Sequence, residues 1–325
     1  MSNAFCLRCL FIRVEYSFII SFYLLITSCT SNINHFKNAQ KEFLEDDYIG
    51  AIIELNTLFE LKGKTDSALV LRAKCYLKIQ KSNKAFQDLK DAIHLNISNS
   101  EAKLELGRYY VSIEDTVSAL NVLTQVSQGL GNNASEAFIE LGKINYFNDK
   151  YEVSILNFSN AIVKDSNNYL AWYYRAIMRS TFYDKDETSK VSLFKYLDFD
   201  QAIKDFATSI SIKKDFADTW YRMGLVYLNK FDEVNGINAI NFAIRLQPKY
   251  SYYYLGRADY FTRKKKYQFA ISDFNKAIEL NQNDPTAYEG RGNVYKLIQN
   301  IDFYNSDMKK AFFLRKKGLK ANNSM

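Results

Sequence analysis

Small residues return along this chain at a fixed interval. One series runs Ala39, Ala73, Gly107, Gly142, Ala176, Gly224, Ala258 and Gly292, and a second runs Ala51, Ala85, Ala119, Ser154, Ala202, Gly236 and Ala270, with Tyr304 breaking the rule. Within a repeat the two sites lie 12 apart in seven cases of eight. The step to the next repeat is 22, except for 23 between Ala119 and Gly142, so the period is 34. Self-similarity at 20–50 residues marks an array of supersecondary units, each too small to bury its own apolar face. With 12 Gly, 2 Pro and no alternating apolar and polar runs, those units are predicted to be helical. Two short helices then meet antiparallel where small residues let the backbones approach, and each pair stacks on the next to make a solenoid.

The residues around the small sites sharpen the reading. Trp220, Met223, Gly224 and Tyr227, followed by Gly236, Ile240 and Pro248, reproduce W-x2-L-G-x2-Y, A-x3-F and P in order. This resembles the tetratricopeptide repeat. Trp172, Tyr254, Tyr288 and Phe138 take the tryptophan place, Tyr76, Tyr110, Phe261 and Tyr295 the tyrosine place, and Phe158, Phe206 and Phe274 the phenylalanine place. His35, Lys103, Asn145 and Arg179 depart from the pattern. The resemblance implies an all-α, right-handed superhelical solenoid of about eight helix-turn-helix repeats over 32–318. They are placed near 32–65, 66–99, 100–134, 135–168, 169–216, 217–250, 251–284 and 285–318, before a basic tail at 319–325. It also implies binding through the concave face, which first helices line.

One repeat is longer than the rest. Between Ala176 and Ala202 the step is 26 in place of 12, which adds 14 residues around TFYDKDETSKVSLFKYL (181–197). At ~3.6 residues per turn this is about four turns, so two extra turns on each helix are expected. Such an insertion is either a tolerated surface extension or a protruding contact element.

The start of the chain reads as an address. Arg8 and Arg13 precede an apolar stretch from Phe18 to Ile26, shorter than the roughly 20 apolar residues a span requires. A basic start, a short apolar middle and small residues at the end are the layout of a secretory signal. Ile26-Thr27-Ser28-Cys29 resembles a bacterial lipobox, which implies cleavage after residue 28 and lipidation of Cys29. Cys6 and Cys9 fall in the removed segment, so Cys75 keeps no partner and no disulfide framework is expected. Thr30 after the cysteine favours the outer membrane, facing the periplasm.

Catalytic parts are wanting. Neither of the two histidines, His35 and His94, has a partner at metal-ligand or triad spacing, and no H-E-x-x-H, P-loop or G-x-S-x-G occurs. No catalytic, cofactor-binding or metal-ligating residue is expected. The formal charge of +7 comes from charges of mixed sign, so no nucleic-acid partner is expected. The two cationic runs, RKKK (263–266) and LRKKGLK (314–320), read most simply as solvated, with a membrane-surface role as the second reading for the terminal one. On the expected concave face no helix carries the Lys/Asn pair of a chaperone-tail clamp. Lys74, Arg108 and Lys143 recur there as a basic ladder, and Tyr173 and Tyr221, with Ile177, Leu225 and Leu228, give the next stretch an aromatic and apolar lining. Either these tyrosines anchor a partner segment or they cover neighbouring helices. The function expected is a lipid-anchored periplasmic adaptor for other proteins or peptides in envelope assembly or secretion. The alternative is a peptide- or glycan-binding lipoprotein of a secretion or uptake system. A cytoplasmic scaffold follows only if the first 29 residues stay uncleaved.

Overall fold

The computed structural model describes residues 35–181 and 198–322, and every regular element among them is a helix. The proposed lipidation site Cys29 lies outside the described residues. In chain order the helices are α1 (35–44), α2 (Tyr48–Lys62), α3 (Asp66–Lys78), α4 (Ser82–Leu95), α5 (Ser100–Ser112), α6 (Thr116–Ser127), α7 (Gly131–Phe147) and α8 (Tyr151–Lys164). After them come α9 (Tyr169–Ser180), α10 (Phe199–Ile212), α11 (Ala217–Asn229), α12 (Glu233–Leu246), α13 (Ser251–Arg263), α14 (Tyr267–Leu280), α15 (Pro285–Leu297) and α16 (Ile301–Asn322). Two compact units are present, one reaching Leu141 and the other starting at Gly142. No described helix is long and apolar enough to cross a membrane.

Local chemistry sets the helix ends. Asp47, Thr65, Asn99, Asp115, Asp198, Asp232 and Asp284 each accept a backbone N–H of the first helical turn through a side-chain oxygen. This satisfies donors that a helix start leaves without partners. The turn inside a repeat is built the same way seven times. Asp46, Gln80, Glu114, Asp149, Phe231, Lys265 and Gln299 all sit in the left-handed region at φ between 57° and 63°. The N–H of the next residue then donates to a carbonyl five positions back, as in Lys81 to Tyr76 (2.8 Å), Asp232 to Tyr227 (2.9 Å) and Asn300 to Tyr295 (2.8 Å). That is the Schellman closure, usually held by glycine. Here none of the seven is glycine, so each turn accepts a steric cost of ~1 kcal/mol.

Between repeats, the residue in the tryptophan place fixes the chain with its polar tip. The indole N–H of Trp172 donates to the Ser166 carbonyl and that of Trp220 to the Lys214 carbonyl, both at 2.9 Å. The hydroxyls of Tyr254 and Tyr288 reach the Pro248 and Gln282 carbonyls at 3.1 and 3.4 Å. Each donor stands six residues after its acceptor, so one amphipathic ring both fills space and ties down the turn before it.

The small sites do the packing expected of them. A Cβ added at Gly142 would lie 2.5 Å from the Phe158 ring, and one added at Gly224 would meet the Gly236 carbonyl oxygen at 2.8 Å. In the first unit, Leu69, Val70, Ala73, Tyr76, Ala85 and Leu89 share a core cluster with Ala102 and Tyr109. In the second, Tyr173, Ala176, Ala202 and Phe206 cluster with Met223 and Val226.

A polar device that the sequence reading passed over recurs beside these cores. Arg72 grips Asp88 with two hydrogen bonds (2.7 and 2.6 Å) and donates to Asn56 at 2.6 Å. Arg257 grips Asp273 (both 2.7 Å) and reaches Asn241. Arg291 grips Asp307 (2.9 and 2.8 Å) and reaches Asn275 at 2.6 Å. Arg175 grips Asp205 (2.9 and 2.8 Å) and approaches Ser159 at 3.3 Å. Each arginine binds the second helix of its own repeat to the second helix of the one before. Where an apolar residue replaces the arginine, at Leu106, Leu141 and Met223, the aspartate is replaced too, by Val122, Asn157 and Ala239. The partners come and go together because a lone buried charge is costly.

The insertion differs from its expectation. α9 ends at Ser180 after 12 residues and α10 spans 14, so neither helix gains two turns. Thr181 turns to an extended conformation (φ −100°, ψ 128°), and the Asp198 N–H donates to the Arg179 carbonyl at 2.9 Å, which closes the excursion at its base. The Asp198 side chain then caps α10. The excursion leaves the helix hairpin its ordinary length because both ends are terminated locally. The added residues themselves lie outside those described.

Candidate functional site

The first helices of repeats four to six place one set of side chains around a concavity in the second unit. Lys143, Tyr146 and Phe147 come from the end of α7. Tyr174, Ile177 and Met178 come from α9 with Thr181 just beyond it, Arg222 comes from α11, and Phe158 of α8 forms the back. The volume is about 400 Å3. A helix brings positions three and four apart onto one face, which is why Lys143 shares the wall with Tyr146 and Phe147, and Tyr174 with Ile177 and Met178.

The ring systems are mutually braced. Phe158 stacks on Tyr174 with centroids 5.5 Å apart and planes 18° from parallel, and the absent side chain of Gly142 makes room for the Phe158 ring. The Lys143 ammonium lies 4.8 Å from the Tyr174 centroid, within cation–π range. Arg222 provides the second cation. Its Nε is buried without a hydrogen-bond partner. Burial works against its charge, but the neighbouring oxygens of Tyr173, Tyr252 and Asp218 outweigh that and raise its pKa. Two cations on aromatic and aliphatic walls, with no carboxylate among the described lining residues, can receive an apolar group that sits next to a negative charge. No group of three or more His, Cys, Asp or Glu able to hold a metal occurs among the described residues.

A buried polar knot backs this wall. The hydroxyls of Tyr173 and Tyr253 both donate to the Asp218 carboxylate, at 2.9 and 3.0 Å. Burial, and then the Asp218 charge, push both phenols above their ordinary range. Tyr221 is raised by burial first and by Tyr252 next.

Comparison with known proteins agrees with the repeat pattern. A model described as TPR repeat matches residues 258–299. A TPR repeat-containing protein of Methanocaldococcus jannaschii is 26% identical over 241 residues, which is 73% of this chain and 36% of that protein. The chain thus spans about a third of the length of that curated relative. Among solved structures, the Cut9–Hcn1 assembly of the APC/C superposes with a TM-score of 0.62 at 14% identity, over 80% of this chain and 47% of that one. A tetratricopeptide repeat protein of Parabacteroides merdae gives 0.54 at 14% identity, over 82% and 99%. The human IFIT1 dimer with PPP-AAAA gives 0.56 at 14% identity, over 83% and 69%. The family model and the relative agree with the tetratricopeptide repeat pattern, and the solved structures share the helical fold. Proteins built of this repeat mediate protein–protein or peptide interactions.

Within the helical repeats the expected site residues separate into three groups. Lys143 and Ile177 line the concavity. Lys74 and Arg108 are engaged inside the first unit. Lys74 pairs with Glu101, while Arg108 lies among Glu105 (2.8 Å), Glu136 (2.5 Å) and Glu140 (3.5 Å). Those carboxylates outweigh the effect of burial and raise the Arg108 pKa. A bare basic ladder is therefore not what the fold presents, because each of these two cations has an acidic neighbour supplied by the same or the next repeat. Tyr173 and Tyr221 are only 4% and 2% exposed and Leu228 is buried, while Leu225 packs against the same core. The tyrosines cover neighbouring helices and present no open ring face, since the knot at Asp218 draws Tyr173 inward. Tyr146, Phe147, Tyr174 and Arg222 were missed. A signal existed for two of them: Tyr146 and Phe147 follow Lys143 by three and four residues, so they continue its helix face by one turn.

Proposed function

We propose that the chain is a lipid-anchored tetratricopeptide repeat adaptor of the bacterial envelope. In this reading, the concavity between Lys143 and Arg222 receives an apolar side chain flanked by a carboxylate on a protein segment. The observation that carries the binding part is the pair of cations Lys143 and Arg222 set on braced aromatic walls, with no carboxylate among the described lining residues. An incoming carboxylate meets the Lys143 and Arg222 cations, and the neighbouring apolar group meets Phe147, Ile177 and Met178. Charge complementarity of this kind acts mostly on association rate and salt sensitivity, while the apolar insertion supplies affinity. Anchoring, and a position on the outer membrane facing the periplasm, rest on the stretch Ile26-Thr27-Ser28-Cys29. A second reading, a lipoprotein that holds a peptide or glycan, is favoured by the volume alone, which falls in the ~300–1,000 Å3 range of small-ligand sites.

The test uses crosslinked capture from cells that make the lipidated protein, compared with Lys143→Glu and Phe147→Ala variants. Loss of the same protein partners from both variants, with melting unchanged, supports the adaptor. Partners retained by both variants place the binding face elsewhere. A small co-purifying ligand, lost from both variants, supports the second reading. Cys29→Ala is expected to abolish salt-resistant partition into the membrane fraction, since firm attachment takes several acyl chains, which that cysteine would carry. Retention of that variant in membranes after a high-salt wash would remove the lipid anchor from the proposal.

A further inference from the structure

α16 has two faces of opposite character. Asp307, Ala311 and Leu314 are buried against α15 of the same repeat, where Arg291 grips Asp307 and Ala311 and Leu314 pack with Tyr288. At 100° per residue this seam leaves Lys309, Phe312, Phe313 and Lys316 on the far side. Phe312 is 70% and Phe313 60% exposed, and Lys309, Lys310, Lys316 and Lys317 are exposed beside them. Residues 309–320 contain six cations and no acid. Among the described residues of this stretch, Arg315 pairs with Glu289 of α15 at 2.6 Å.

Solubility of a repeat end accounts for the lysines but not for the phenylalanines, which alone would work against it. Interleaved lysines and exposed aromatic rings on one helix face are what an anionic bilayer surface complements. The rings enter the headgroup–acyl boundary and the ammonium groups pair with lipid phosphates. The charge count also settles the mode of contact, since a helix with six cations lies on a membrane and does not cross it. The described helices agree, as none is apolar enough to span.

We infer that the outer face of α16, through Phe312, Phe313, Lys309 and Lys316, docks on an anionic phospholipid surface. This contact is separate from lipidation at Cys29, and it turns the last described repeat toward the bilayer. Two weak signals together hold a protein on a membrane where one does not.

The experiment uses the full chain with Cys29→Ala, so that lipidation plays no part, and vesicles of phosphatidylcholine with or without phosphatidylglycerol. Flotation should show binding that rises with phosphatidylglycerol and falls with salt. Each surface-facing lysine contributes about fivefold to partition, so Lys309→Gln with Lys316→Gln should weaken it on the order of 20-fold. Phe312→Ala with Phe313→Ala should weaken it at least tenfold while melting stays unchanged, because both rings are exposed. The inference is overturned if partition ignores phosphatidylglycerol, which assigns it to the apolar stretch before Cys29. It is also overturned if either double variant partitions as the parent does. A third overturning result is single-stranded RNA capture, or dimerisation by sedimentation, that the same variants abolish while vesicles go unbound.

Discussion

Asp273→Ala isolates the recurring arginine clasp. The carboxylate accepts two hydrogen bonds from Arg257 at 2.7 Å, with the arginine side chain 20% and the aspartate 8% exposed. Removing one partner of a buried ion pair leaves the other charge uncompensated and costs ~3–5 kcal/mol. Arg257 retains some water and its hydrogen bond to Asn241, so the lower end, about 3 kcal/mol, applies. The preceding repeat supplies the control, for it holds Met223 and Ala239 at the equivalent positions, both buried. Arg257→Met with Asp273→Ala should therefore return to within ~1 kcal/mol of the parent, a coupling of at least ~2 kcal/mol between contacting sites. Urea unfolding gives the global value. Because repeat arrays lose stability locally, hydrogen exchange in α13 and α14 is the sharper assay. A 3 kcal/mol loss should speed exchange there by about a hundredfold in the single variant and hardly at all in the double. The reasoning fails if Asp273→Ala costs under ~1 kcal/mol, or if the double variant shows the sum of the two singles.

Phe231→Gly should stabilise the protein by ~0.5–1 kcal/mol, read as a higher urea midpoint, because Phe231 holds φ at 63° with its ring 84% exposed; an unchanged or lower midpoint would show that the ring makes a contact worth more than the strain. Tyr173→Ala with Tyr221→Ala should lower the melting temperature by well over ten degrees, since both rings fill core space and truncating a buried aromatic costs ~3–5 kcal/mol; retained stability would return these residues to the binding face. Tyr173, Tyr221 and Tyr253 are raised above the unfolded phenol value of about 10. Their contribution is thus whole below pH ~10 and is lost as pH rises beyond it. Tyrosinate absorbance should therefore lag for these residues until the helices melt, and an early, complete titration in the folded protein would refute this.

The period of 34 and the helical hairpins were legible in the chain because packing of small residues against bulky ones is a local, repeated requirement. Ala176 has to meet Ala202, and Gly224 has to meet Gly236, whatever surrounds them. The arginine clasp also lies in the chain, at offsets of 16 on either side of Arg72, Arg257 and Arg291, but charged residues 16 apart form a pattern only once stacked helices bury them together. The insertion was misread because helix length follows from where the ends are capped, and extra residues say only how much chain lies between Ser180 and Phe199. The candidate site was half legible. Lys143 and Ile177 could be placed by register, since a helix face depends on spacing along one segment. Whether Tyr173 opens to solvent or turns in toward Asp218, and whether Arg108 stands free or among Glu105, Glu136 and Glu140, depends on side chains from separate helices. Burial and charge pairing are properties of several elements together, so only the tertiary structure decided them.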